Sequence, residues 1–201
     1  MFSAKAENIK VQKKRSSNEF LTLFENLFKE KDNYRYFLQL LKKHIVPVAD
    51  VYSYCLLPNH FHLVIKTKEE SELPVQIRNG KRGVSQAFSN LFNAYAKAYN
   101  LKYERRGSLF QKHPKHKEIT NNKYLCQLIL YVNTNSGHHA VSEPELYEYS
   151  SFHALLGTGS TLVMRKEVHE LFGDLQSFRD CLDDKNRRIE LAQESFLEDG
   201  D

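Results

Sequence analysis

Apolar positions along the chain change their period several times, and each change marks an element. Phe20, Leu23, Phe24, Leu27 and Phe28 keep helical spacing, as do Tyr34, Phe37, Leu38, Leu41 and Ile45, until Pro47 stops the second run. Residues 48–57 and 60–67 are β-forming stretches too short for paired helices, and Pro58-Asn59 between them is a turn or kink. They read as two strands or one bent strand. In the second piece, strict alternation puts His60, His62 and Val64 on one face and Phe61, Leu63 and Ile65 on the other. Residues 68–83 hold charges, Pro74, Gly80 and Gly83, and suit a mobile connection. Val84, Ala87, Phe88, Leu91, Phe92, Tyr95, Ala98 and Tyr99 then form the clearest helical stripe in the chain. A further helix begins at Thr120 or Asn121, either of which can cap it, runs through Leu125, Leu128, Ile129 and Val132, and ends by Gly137. The last forty or so residues have the spacing of one or two amphipathic helices. Residues 1–17 are polar and basic without clear period, and read as a flexible or weakly paired arm.

Composition narrows the class. With 201 residues, 41% hydrophobic, 13 Phe and 11 Tyr, the chain suits one folded domain with appendages: an arm at 1–19, a core at 20–157 and a helical extension at 158–201. No window is long and apolar enough for a membrane span, and the N-terminus lacks the apolar run of a signal peptide, so the expected location is cytoplasmic with no membrane partner. Cys55, Cys126 and Cys181 are scattered and read as reduced thiols. The net charge of +4 is mild, but acids crowd the C-terminus from Asp180 onward. The remaining body is therefore basic, with clusters at 10–15, 78–82 and 102–117, which suits phosphate contacts.

Candidate chemistry centres on His60 and His62, whose i, i+2 spacing on a strand sets two imidazoles side by side, within reach of one metal ion. Satisfied core histidines are the plain alternative. His113/His116 and His138/His139 are also close pairs, and in their basic or loop-like settings they are read without a catalytic role. Two imidazoles need a further ligand. Tyr131 and Asn135 lie four apart on one helix stripe, with Gln127 a turn earlier. The amide oxygen can ligate a metal and the phenol can attack a phosphorus that the metal polarises, although a tyrosine at helical spacing is more often packing.

The string from Cys55 to Ile65, CLLPNHFHLVI, resembles the histidine–hydrophobic–histidine (HUH) motif of single-tyrosine, single-strand DNA transposases, above all those associated with repetitive extragenic palindromes (REP). The 84–100 helix, Arg106-Gly107-Ser108-Leu109-Phe110-Gln111 and Tyr131-Val132-Asn133-Thr134-Asn135 follow in the order that family keeps, and the similarity spans roughly 25–157, with Tyr149-Ser150-Ser151 near its end. Two departures stand out. Ser136 replaces a common proline, and a basic, polar 8–19 replaces the family's aromatic-rich opening strand. The resemblance implies an α+β fold, a central antiparallel sheet with flanking helices related to the ferredoxin-like and RNA-recognition folds. It also implies Mg²⁺ or Mn²⁺ held by His60, His62 and Asn135, and attack by Tyr131 on single-stranded DNA with hairpin or palindromic elements, giving a 5′-phosphotyrosine. Arg105, Arg106, Lys112 and Lys115 are the expected DNA-binding cations. Monomer and homodimer are both open. Rival readings are a non-catalytic binder of hairpin nucleic acid with the same fold, and a metal-dependent hydrolase using water.

Overall fold

The computed structural model describes residues 9–15, 26–78, 83–110, 115–119 and 121–198. Strands β1 (Ile9–Arg15), β2 (Ala49–Leu57), β3 (His60–Thr67) and β4 (Lys115–Ile119) form one antiparallel sheet in the order β2-β3-β1-β4. Pro58 and Asn59 close the tight β2–β3 hairpin, in which Leu57 faces His60, so the apolar run is two strands. A register shift between Val51 and Ser53 interrupts β2.

β1 corrects the sequence reading of the basic N-terminal segment. Residues expected to be a loose arm lie inside the sheet, paired with β3 through Ile9–Lys66 and Arg15–His60 and with β4 through Ile9–Ile119. In that overlap β1 has a partner strand on each side, its successive residues bonding alternately to β3 and to β4, which outweighs the weak strand preference of lysine and glutamine. β4, drawn from the basic 102–117 cluster, is likewise a strand by pairing with β1.

Helix α1 (Lys31–His44) and the 20-residue α3 (Gly83–Lys102) pack together on one face of the sheet. Between β3 and α3 the chain makes a 3₁₀ turn at Glu70–Glu72 and a four-residue α2 (Val75–Arg78), two short elements where the sequence pattern predicts a connection. Asn26–Glu30 is not helical, so the first expected helix fails there, and its earlier positions, Phe20, Leu23 and Phe24, lie outside the described residues. Leu27 and Phe28 are nonetheless core residues, held because Tyr95 and Tyr99 donate their hydroxyls to the Leu27 and Asn26 carbonyls at 2.5 and 2.6 Å.

The opposite face is covered by α4 (Asn122–Asn133), which passes into a single-turn α5 (Asn135–His138). Asn121 caps α4 by accepting the Tyr124 N–H at 2.8 Å, as its spacing predicts. After a 3₁₀ turn at Pro144–Leu146 come α6 (Phe152–Leu156), α7 (Arg165–Phe172) and α8 (Leu175–Glu198). Val168, Phe178 and Leu182 are fully buried in the main core, so α7 and α8 are built onto the body. The outer edge of β2 is covered by residues 149–151 and 163–164, through bonds such as Leu56 N–H to Tyr149 carbonyl at 2.9 Å and Met164 N–H to Val51 carbonyl at 2.8 Å. Among the described residues no helix is long and apolar enough to cross a membrane.

Candidate active site

Alternation along β3 divides its side chains between two environments. Phe61 turns toward α1 and α3, with its ring 5.0 Å from Phe37 and 6.1 Å from Phe92. His60 and His62 turn toward α4 and α5, and both are almost wholly buried. Their ring centres are 5.1 Å apart. His60 Nδ1 lies 2.7 Å from the Asn59 amide oxygen, which accepts its proton and leaves Nε2 with a lone pair. A neighbour that fixes one ring nitrogen in this way prepares the other to ligate a metal.

His139, immediately after α5, brings a third imidazole to the pair. Its ring centre is 4.9 Å from that of His60, and ligand nitrogens of His60, His62 and His139 all lie within 4.8 Å of one another. The sequence reading gave this histidine no catalytic role; the structure sets its ring against His60. The signal was available: Tyr131, Asn135 and His139 fall at i, i+4 and i+8, one stripe of a helix. The stripe survives the break at Thr134 because the amides of Thr134, His138 and His139 still bond four residues back, to Leu130, Thr134 and Asn135.

Tyr131, in the last turn of α4, is half-buried, its ring edge-on to His62 at 5.6 Å and 5.3 Å from His138. Burial, and then the charges of Lys185 and His139, hold the His138 imidazole below its ordinary value. Asn135 is completely buried, and neither atom of its amide has a hydrogen-bond partner among the described residues. An amide left so typically costs about 1–3 kcal/mol, which a ligand accepted by its oxygen would offset. Three imidazoles and this orphaned amide on adjoining elements make a donor set that suits a divalent first-row cation. Cys55, opposite His62 in the hairpin, is a poor additional ligand. Burial pushes its thiol up to about 12, despite a hydrogen bond from the Ser136 backbone, and keeps it protonated.

What fixes the tyrosine-bearing helix on the sheet is a buried polar network that sequence reasoning missed. Asn133 donates to Ser53 Oγ at 3.0 Å and to the Ile129 carbonyl at 2.8 Å, while its amide oxygen accepts the Ser151 hydroxyl at 2.7 Å. Ser151 Oγ in turn accepts the Tyr54 N–H at 3.0 Å. α4, β2 and the segment before α6 are thus pinned to one another two residues from Asn135. Asn133 and Ser151 are 18 residues apart, and their contact is not readable from the sequence.

The four expected DNA-binding cations fare differently. Arg105 donates to the Asn100 side chain at 2.9 Å and lies over the Tyr99 ring at 5.9 Å, which ties it to its own loop. Arg106 is exposed, Lys115 opens β4, and Lys112 lies outside the described residues.

No protein-family model and no curated protein matches this sequence. A solved structure does. It is that of a REP-associated tyrosine transposase bound to a REP hairpin, 15% identical in sequence, with a TM-score of 0.54 over 77% of this chain and 81% of that one. The two chains share a fold. This agrees with the α+β architecture expected from the sequence, a central antiparallel sheet with flanking helices.

Proposed function

We propose that this protein is a metal-dependent transposase that cleaves and rejoins single-stranded DNA with hairpin or palindromic elements through a 5′-phosphotyrosine on Tyr131. The observation that carries the reading is the half-buried phenol set against His62, beside two more imidazoles and an orphaned buried amide. A protein that only binds nucleic acid needs none of these groups. The likeness in fold to a transposase solved with a hairpin supports the same reading.

In this mechanism His60, His62 and Asn135, joined by His139, would hold one divalent cation, Mg²⁺ or Mn²⁺, and so many nitrogen donors would favour Mn²⁺. A cation held there would supply Lewis-acid stabilisation of the negative charge on the scissile phosphate. Tyr131 loses its proton and its oxygen bonds to phosphorus; the P–O3′ bond breaks, and the departing 3′ oxygen takes up a proton. A 3′-hydroxyl attacking the phosphotyrosine reverses these changes and restores Tyr131. Strands are exchanged without nucleotide hydrolysis. Asn59 keeps His60 in one tautomer, and the Asn133–Ser53–Ser151 network keeps α4 at a fixed height above β3, so the phenol meets the phosphate in one orientation.

The test is cleavage of a hairpin oligonucleotide with single-stranded flanks, in Mn²⁺ and in EDTA. Wild type cleaves only with metal, and Tyr131→Phe loses cleavage by on the order of 10³-fold or more while binding persists. Full cleavage by Tyr131→Phe would point instead to a hydrolase using water. Tight binding without cleavage by wild type would point to a non-catalytic binder.

A further inference from the structure

The C-terminal helix α8 is acidic in composition, yet the part that reaches the candidate active site is cationic. Tyr131, Gln127 and Leu128 of α4 face Lys185, Arg188 and Cys181 of α8 across a groove of about 450 Å³, within the range of sites that enclose small ligands. Cys181, Asp184, Lys185 and Arg188 share one stripe of α8 by their i, i+3, i+4, i+7 spacing. Phe178 and Leu182, fully buried, fix this stretch of the helix to the core, so the groove has a rigid wall.

Its charges are not equivalent. Asp184, the acid in the groove, is paired with Arg188 at 2.8 Å. Lys185 is half-buried and makes no ion pair among the described residues. An ammonium partly withdrawn from water gains from an anion that arrives with a ligand.

We infer that the α4–α8 groove is a channel for the single strand entering the active site, with Lys185 holding a phosphate next to the scissile one and Leu128 and Leu130 offering apolar surface to its base. This rests on the reading of single-stranded DNA as substrate, and gives the C-terminal helix a part in binding it. Arg188, committed to Asp184, is a secondary contact.

The experiment measures binding of a hairpin oligonucleotide with a single-stranded dT tail across a salt series, in Mn²⁺, with every variant in the Tyr131→Phe background so that cleavage does not intervene. Lys185→Ala weakens binding several-fold and reduces the magnitude of the log–log salt slope by about 0.7, the loss of one phosphate contact on a single strand. Lys185→Arg keeps the slope. So does Arg179→Ala, which removes an exposed cation of α8 outside the groove. Lys185→Gln keeps most of the stem and serves should the alanine variant melt early. An unchanged slope in a folded Lys185→Ala or Lys185→Gln protein, or the same loss in Arg179→Ala, overturns the inference. Absence of cleavage by the wild type would sink the proposed function, while the slope difference would still report on the groove.

Discussion

One strand presents two contrasting surfaces. On the α1 and α3 side of β3, Phe61 meets Phe37 and Phe92, and Phe37 meets Tyr95 at 5.2 Å; the packing is aromatic, and its polar tips are satisfied by carbonyls such as that of Leu27. On the α4 and α5 side, the same strand buries His60 and His62, and Asn135 and the Asn133–Ser53–Ser151 network are buried as well. Burial on the first side contributes stability. On the second, burying imidazoles and an unpartnered amide costs stability, and such a cost persists in a fold when the groups have chemistry to perform. The contrast teaches that the aromatic layer carries the scaffold while the polar layer is held in place by it.

The heaviest blow to this contrast falls on the aromatic side. Phe37→Ala, at a position with no exposure, costs about 3–5 kcal/mol in urea unfolding and lowers Mn²⁺ binding only through loss of folded protein. If the variant were as stable as wild type, the division of labour would be wrong. On the polar side the sign reverses. A His60→Ala/His62→Ala double variant folds, but loses the rise in thermal midpoint that Mn²⁺ gives the wild type, about 2.7 kcal/mol at a hundred times the dissociation constant. Retention of that rise would place the metal elsewhere.

Alkali separates the two faces through groups one residue apart. Burial pushes the Tyr54 phenol and the Cys55 thiol each up to about 12, and in the hairpin they stand opposite Leu63 and His62, on the aromatic and polar faces respectively. Both are neutral when folded and ionise more readily unfolded. Their contribution is intact below about pH 9 and falls as pH rises toward 12, by on the order of 1–3 kcal/mol. Tyr54→Phe and Cys55→Ala should each flatten part of the decline in a urea series from pH 8 to 11, and an unchanged slope in both would refute the assignment.

Two smaller effects sharpen the picture. Ser151→Ala leaves the Asn133 oxygen and the Tyr54 amide short of a buried partner and costs about 1–2 kcal/mol; because it loosens α4 over β3, it also lowers the cleavage rate more than it weakens DNA binding. Arg106→Ala, on an exposed loop, changes stability by less than about 0.5 kcal/mol and weakens DNA binding modestly, most visibly at low salt.

The elements legible in the sequence are those whose own residues carry the signal. Alternation in His60–Thr67 and the helical stripes of α1, α3 and α4 needed no knowledge of partners. β1 and β4 were illegible because KVQKK and KHKE are basic, polar strings that become strands only through mutual pairing and through β3, contacts spanning some fifty to a hundred residues. At the candidate site, the histidine motif and the tyrosine-to-asparagine spacing were readable locally. The nearness of His139 to His60 was less plain, because its loop-like surroundings hide its register with Tyr131. The role of Lys185 could not be read at all, since the acidic average of the C-terminal segment conceals which side of α8 faces α4.

The central claim is that Tyr131 becomes covalently joined to the 5′ side of a cut strand. Its most direct test is mass spectrometry of the protein after reaction with a flanked hairpin oligonucleotide in Mn²⁺, followed by nuclease trimming and proteolysis. The account predicts a nucleotide phosphate on the peptide that contains Tyr131, absent with EDTA and absent from Tyr131→Phe. A cut strand with no nucleotide on the protein, or an adduct on another residue, would contradict it.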